Sequence, residues 1–368
     1  MYYHILLTEK CDSECSYCYK KSLKEFDNGL DKKFKFDFSS PEESVVDIKK
    51  LKKFLTKDEN PVLIFYGGEP LMEIEKIEKI MDNIGNVSYR MQTNGKRLDK
   101  LPAKYVNKIK RILVSLDGTR KRTDHNRGFG TYDKVMKNLE LIRNNGYKGE
   151  LIARMTLSEF PDVHEQVIDL IRSGFDSVHW QIDAGFFKFD YNKEIFEKFV
   201  EEYNASLTKL INFWVKEMHN GNVYRIYPLL AIAESILMNE KTELRCGAGH
   251  SGYAITTDSK IVACPIMNCI EDFKAGDLTT EPKDLKKFCV GGKCLKCDYL
   301  DLCGGRCLYW NQAGLWPNEG DELICKTIKH LIDSIKKKIP EIEYLIDEKI
   351  ISKKQFKYEK YFGPEIIP

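Results

Sequence analysis

Apolar positions follow two rhythms along the first half of the chain. Short runs at His4–Thr8, Val62–Tyr66, Tyr89–Thr93, Arg111–Leu116, Glu150–Met155 and Val178–Asp183 read as strands. Between them, apolar residues recur at spacings of three and four, as in Val45, Ile48, Leu51, Leu55 and in Val163, Val167, Leu170, Ile171. That spacing is the period of a helix with one buried face. Strands alternating with helices predict an α/β fold with a parallel sheet and right-handed crossovers. Six such units predict a partial (β/α)6 barrel.

Read with period two, Arg90, Gln92 and Asn94 share one face of the third strand, and Ser115 and Asp117 share one face of the fourth. Arg154 on the fifth strand, and His179, Gln181 and Asp183 on the sixth, sit opposite apolar neighbours. Helices cover the outside of a barrel, so these polar residues are expected to face the lumen. A polar lumen predicts a ligand site inside it. The plainer alternative is a set of buried polar groups that satisfy one another.

Two further helices are predicted at Glu194–His219 and Pro228–Glu240, and another at Glu322–Lys338. The expected organisation is a barrel over 1–190, a helical bridge over 191–243, a cysteine-rich region over 244–338 and a tail over 339–368. The chain carries 58 basic and 56 acidic residues, a net charge of +2. Such a balance argues against nucleic acid as an obligatory partner. The basic runs Arg120–Arg122 and Lys336–Lys338 read as solvated faces. No basic segment followed by an apolar core opens the chain, and no stretch approaches 18 apolar residues. A cytoplasmic protein without a membrane span is therefore expected, its twelve cysteines kept as thiols.

Nine of those cysteines lie between 246 and 325, and three more form Cys11-Asp-Ser-Glu-Cys15-Ser-Tyr-Cys18 directly after the first strand. Sites in β/α barrels are built in the loops that follow the strands. Three thiolates within eight residues can wrap one cubane cluster, which needs four ligands, and leave one iron open. A zinc site is the alternative, although zinc prefers C-x2-C pairs with a second pair nearby. The second strand ends in Tyr66-Gly67-Gly68-Glu69-Pro70. Its glycines permit close backbone approach to a ligand, and its carboxylate or carbonyls can accept from an ammonium group.

Cys-x3-Cys-x-aromatic-Cys after strand one, with Gly-Gly-Glu-Pro after strand two, resembles the radical S-adenosylmethionine (SAM) enzyme superfamily over about residues 1–185. The resemblance implies a [4Fe–4S] cluster on Cys11, Cys15 and Cys18, with SAM on the open iron. It implies that Gly67, Gly68, Glu69 and Pro70 hold the methionine end and that Tyr17 lies near the adenine. Gln92, Asn94, Ser115, Asp117 and Arg154 fall where such enzymes contact the carboxylate and ribose. Cys294-x2-Cys297-x5-Cys303-x3-Cys307, followed by Cys325 and preceded by Cys246 and Cys264, resembles the SPASM extension of radical enzymes. A zinc ribbon is the alternative reading.

The SPASM resemblance implies two auxiliary [4Fe–4S] clusters, three in all. One would be held by Cys246, Cys264 and Cys307, the other by Cys294, Cys297, Cys303 and Cys325. Cys269, Cys289 or, remotely, His250 could complete the first, or its iron could stay open to substrate. The family usually has glycine where Ser259 stands, in the turn of a hairpin predicted over Tyr253–Cys264. The implied activity is hydrogen abstraction from a peptide or protein substrate, served by a low-potential donor of ferredoxin or flavodoxin type. The product would be a thioether, a carbon–carbon crosslink or an oxidised side chain.

Formylglycine production is disfavoured by Pro265, since sulfatase maturases place an acid directly after the second auxiliary cysteine. Asp183 is a candidate replacement base. Ten residues precede Cys11, so no fused leader-binding domain is expected. A small-molecule radical enzyme and a non-catalytic electron carrier are the rival functions.

Overall fold

The computed structural model describes residues 1–18, 29–183, 191–314 and 316–362. It contains two compact units. The first comprises 1–116, 120–152 and 247–289, and the second 117–119, 153–246 and 290–368.

In the first unit, the strands β1 (Tyr2–Leu6), β2 (Val62–Tyr66), β3 (Ser88–Thr93) and β4 (Ile109–Ser115) are parallel neighbours, with Tyr2 opposite Val62 and Leu6 opposite Tyr66. Val62–Phe65 is a continuous buried run, as expected of a parallel strand covered on both faces. The helix Ile48–Leu55 places Leu51, Phe54 and Leu55 in the core, each side chain contributing about 1.5–3 kcal/mol by burial. Asp47 caps it, accepting from Lys50 N at 2.9 Å. The helix therefore starts after Val45, which is 68% exposed and not part of the apolar face the spacing predicts.

The hairpin expected over Tyr253–Cys264 is present as β7 (Gly252–Ile255) and β8 (Lys260–Val262), with Ile255 opposite Ile261. It does not stand apart in a cysteine-rich region. Strand β7 pairs in parallel with β1, Tyr2 opposite Gly252, and β9 (Lys274–Asp277) pairs with β8. This covers what would be an open sheet edge with unpaired amide and carbonyl groups.

Strand β5 (Glu150–Leu157) begins in the first unit and ends in the second, followed by its neighbour β6 (Ser177–Ile182). The apolar face of β6 is turned toward a helix, as expected: Trp180 Nε1 donates to Tyr203 OH at 2.9 Å, in the helix Lys193–Met218. The helix expected over Glu322–Lys338 is longer, running from Asn318 to Asp347 with Pro340 inside it. Residues beyond it also pack, since Phe356 is fully buried edge-on to Trp214 at 6.0 Å. Of the basic runs, Arg120 pairs with Asp133 and Lys338 with Glu341, whereas Arg122 is buried and departs from the solvated-face reading.

Among the described residues, no helix is long and apolar enough to cross a membrane.

Candidate functional site

The cysteine loop leaves β1 and is fixed by the turn that leaves β2. Gly68 N donates to Thr8 O and Glu69 N to Lys10 O, both at 2.8 Å. A Cβ on Gly68 would stand 2.1 Å from Lys10 O, and one on Gly67, whose φ is +141°, 2.3 Å from Thr8 O. The two glycines are thus required by the approach of the cysteine loop itself, which the sequence reading had assigned to a ligand.

Glu69 is fully buried. Its Oε1 accepts from Leu71 N at 3.0 Å and Thr93 Oγ1 at 2.7 Å, and its Oε2 from Asn94 N at 2.7 Å. Burial pushes its carboxyl up to about 7, against these three donors, which favour the ionised form. The carboxylate thereby ties the end of β2 to the end of β3. Pro70 is buried and opens the short turn Pro70–Met72.

Asn94 continues the chain of contacts. Its Nδ2 donates to Asp12 Oδ1 at 2.7 Å and Ser13 Oγ at 3.2 Å, and lies 4.0 Å from Cys11 Sγ. Asp12 also accepts from Arg97 Nε at 2.7 Å, and its carbonyl accepts from Lys96 Nζ. From the other side, Ser16 N donates to Asn126 O at 3.0 Å. The buried Arg127 lies 4.0 Å from Cys15 Sγ and 5.3 Å above the Tyr17 ring. Positive donors near sulfur favour the thiolate that iron requires. The loop borders an open cleft lined by Asp12, Ser13, Glu14, Lys96 and the fully exposed Phe129.

Sequence reasoning missed Asp12, Lys96, Arg97, Asn126 and Arg127. Only the position of Asp12 inside the cysteine motif carried any signal. Of the remaining expected contacts, Gln92 and Ser115 are half-buried, and Asp117 is fully buried with Oδ1 accepting from Thr156 N at 3.0 Å. Arg154 donates to Gln181 Oε1. Asp183 is half-buried, its amide donating to Leu157 O at 2.6 Å.

The C-terminal cysteines form a second concentration of thiols, and none of the twelve is in a disulfide. Cys297 N donates to Cys294 O at 3.1 Å, and Asn311 Nδ2 donates to Cys294 Sγ at 3.4 Å. Burial pushes the Cys294 and Cys303 thiols up, the Arg306 guanidinium pulls both back, and Cys325 acts electrostatically on each. Cys294, Cys297, Cys303 and Cys325 therefore lie around one point, with Arg306, held at φ +63°, beside them. Four soft thiolates, too spread for three to share a single ion among the described residues, suit an iron–sulfur cluster. His250 shares a hydrogen bond with Ser251 at 2.9 Å.

Residues 5–172 match the family described as the Radical SAM superfamily. The chain is 25% identical over 328 residues to a cysteine-type anaerobic sulfatase-maturating enzyme of Clostridium perfringens, covering 81% of this chain and 85% of that one. It is 22% identical over 326 residues to the radical SAM cyclopropyl synthase TigE of Paramaledivibacter caminithermalis, covering 83% and 67%. Among solved structures, anSMEcpe with bound AdoMet superposes with a TM-score of 0.65 at 18% identity, over 95% of this chain and 98% of that one. SuiB of Streptococcus suis bound to its precursor peptide SuiA gives 0.53 at 15% identity, over 83% and 71%. These likenesses carry the partial barrel with its cysteine-rich extension.

Proposed function

As the chain belongs to the radical SAM superfamily, we propose that it modifies a peptide or protein by hydrogen abstraction, using three [4Fe–4S] clusters and SAM. The observation that carries the reading is the cysteine loop held from both sides, by Gly68, Glu69 and Asn94 and by Asn126 and Arg127. When bound, the cluster supplies one electron that cleaves SAM into methionine and a 5′-deoxyadenosyl radical.

The chain's own residues fix where this happens. Cys11, Cys15 and Cys18 hold three irons, and the carbonyls of the Gly67–Gly68–Glu69 turn accept from the methionine ammonium. Glu69 acts by holding that turn against Asn94, since its carboxylate is already engaged by three donors. Tyr17, packed beneath Arg127, offers a flat surface for adenine. Gln92, Ser115 and Arg154 contact the carboxylate and ribose, and Asp117 holds β5 against the end of β4. Cys294, Cys297, Cys303 and Cys325 hold one auxiliary cluster, and Cys246, Cys264 and Cys307 hold the other.

The peptide class is supported by relatives that match over most of the chain, among them one seen with a precursor peptide. Formylglycine is not the expected product, because the residue after Cys264 is a buried proline that cannot take a proton. Asp183 is the proposed base. A cytoplasmic setting and a ferredoxin- or flavodoxin-type donor complete the reading. The test is incubation of the reduced, reconstituted enzyme and SAM with synthetic peptides encoded beside its gene, followed by mass spectrometry. A mass change in a peptide is expected. No peptide change, together with conversion of a small molecule from a metabolite extract, would overturn the peptide reading.

A further inference from the structure

The auxiliary cluster of Cys246, Cys264 and Cys307 is one ligand short, and two cysteines remain to complete it. Their surroundings differ. Cys269 follows the turn Pro265–Met267 and is buried, with its carbonyl accepting from Asp37 N at 2.9 Å. Its thiol is pushed up to about 12 by burial, and the Glu9 and Asp37 carboxylates act in the same direction. A site that disfavours the thiolate disfavours iron ligation.

Cys289 is exposed and sits between two residues that are each locked to a neighbour of the other ligands. On one side, Phe288 N donates to Gly249 O at 2.9 Å, and Phe288 packs so closely that a Cβ on Gly249 would lie 2.8 Å from it. Gly249 is three residues after Cys246, and its own amide donates at 3.0 Å to the carbonyl of Ala263, the residue before Cys264. On the other side, Val290 packs on Gly305, where a Cβ would lie 2.6 Å from a Val290 methyl. Gly305 is two residues before Cys307. The segment leading to Cys246 is tied to the same stretch, since Thr242 N donates to Asp301 O and Arg245 to Leu302 O, both at 2.8 Å.

We infer that Cys289 is the fourth ligand of the auxiliary cluster held by Cys246, Cys264 and Cys307, an assignment that rests on the auxiliary-cluster reading above. On binding, each thiol gives its proton to solvent and donates a sulfur lone pair to one iron, with no electron transferred. The cluster then has no open iron. It can pass electrons, but it cannot anchor a substrate thiolate without releasing a cysteine.

The test uses the full chain with Cys11, Cys15 and Cys18 all changed to Ala, which removes the first cluster and leaves the auxiliary pair. After anaerobic reconstitution this protein should hold about eight irons and, on mild oxidation, show no three-iron EPR signal, because every iron has a protein ligand. Adding Cys289→Ala should produce that signal, and adding Cys269→Ala should not. In the unsubstituted protein, Cys289 should be alkylated by iodoacetamide before reconstitution and protected after it. The inference is overturned if Cys269→Ala gives the signal and Cys289→Ala does not, or if Cys289 stays reactive in the reconstituted protein. Fewer than about eight irons in the starting protein would bring down the auxiliary-cluster reading, and this inference with it.

Discussion

The Glu69 carboxylate accepts from Leu71 N, Thr93 Oγ1 and Asn94 N out of contact with solvent, so its replacement leaves buried donors without an acceptor. Glu69→Gln keeps the shape but points an amide N–H at another donor, and should lower stability by about 1–3 kcal/mol in denaturant titration. The same substitution should change the pH profile. Burial raises the folded-state value from 4.5 to about 7, so this group's contribution is full below the lower value and is lost as pH rises through the upper one. Melting temperatures between pH 5 and 8 should fall more steeply in the wild type than in Glu69→Gln.

Gly68→Ala would put a methyl 2.1 Å from Lys10 O and displace the cysteine loop, whereas nothing lies within 4 Å of a Cβ at Gly85. After reconstitution, Gly68→Ala should hold about four fewer irons than Gly85→Ala, with the auxiliary irons retained. Ser259 holds a φ of +74° where glycine is the family's usual residue. Relief of left-handed strain, less the entropy that glycine loses, should make Ser259→Gly more stable by about 0.5–1 kcal/mol in urea titration.

At the level of elements, Arg245 joins three stretches of chain. It donates to Leu302 O at 2.8 and 2.6 Å, to Ala231 O at 3.0 Å and to Ser235 Oγ at 3.1 Å, and burial lowers its pKa from the ordinary value. Arg245→Met leaves those acceptors unsatisfied and should cost more than about 2 kcal/mol by thermal unfolding, with Arg245→Lys recovering only part. The strands and helices of the barrel were legible in the sequence because Val62–Tyr66 and Val163–Arg172 carry clear periods of their own. The pairing of β7 with β1 was not, since it joins residues about 250 apart and depends on which edge is left open. The continuation of the last helix through Pro340 was missed for a different reason, as proline reads locally as a stop.

Across the whole molecule, the cysteines, the Gly-Gly turn and the polar strand faces were visible as residue types at fixed spacing. The clamps on them were not. Asn94 was expected to meet a cosubstrate and instead reaches Asp12 and Ser13, while Arg127 and Arg306 sit beside sulfur through contacts that no local pattern announces. Both concentrations of thiols are thus built alike, with sulfur ligands on loops and a buried arginine from another turn of chain facing them. The central claim is that the first of these binds SAM on an open iron and cleaves it. Its most direct test is formation of 5′-deoxyadenosine by the anaerobically reconstituted protein with dithionite and SAM. Wild type should form it and Cys18→Ala should not; equal amounts from both, or none from wild type bearing its full iron, would contradict the claim.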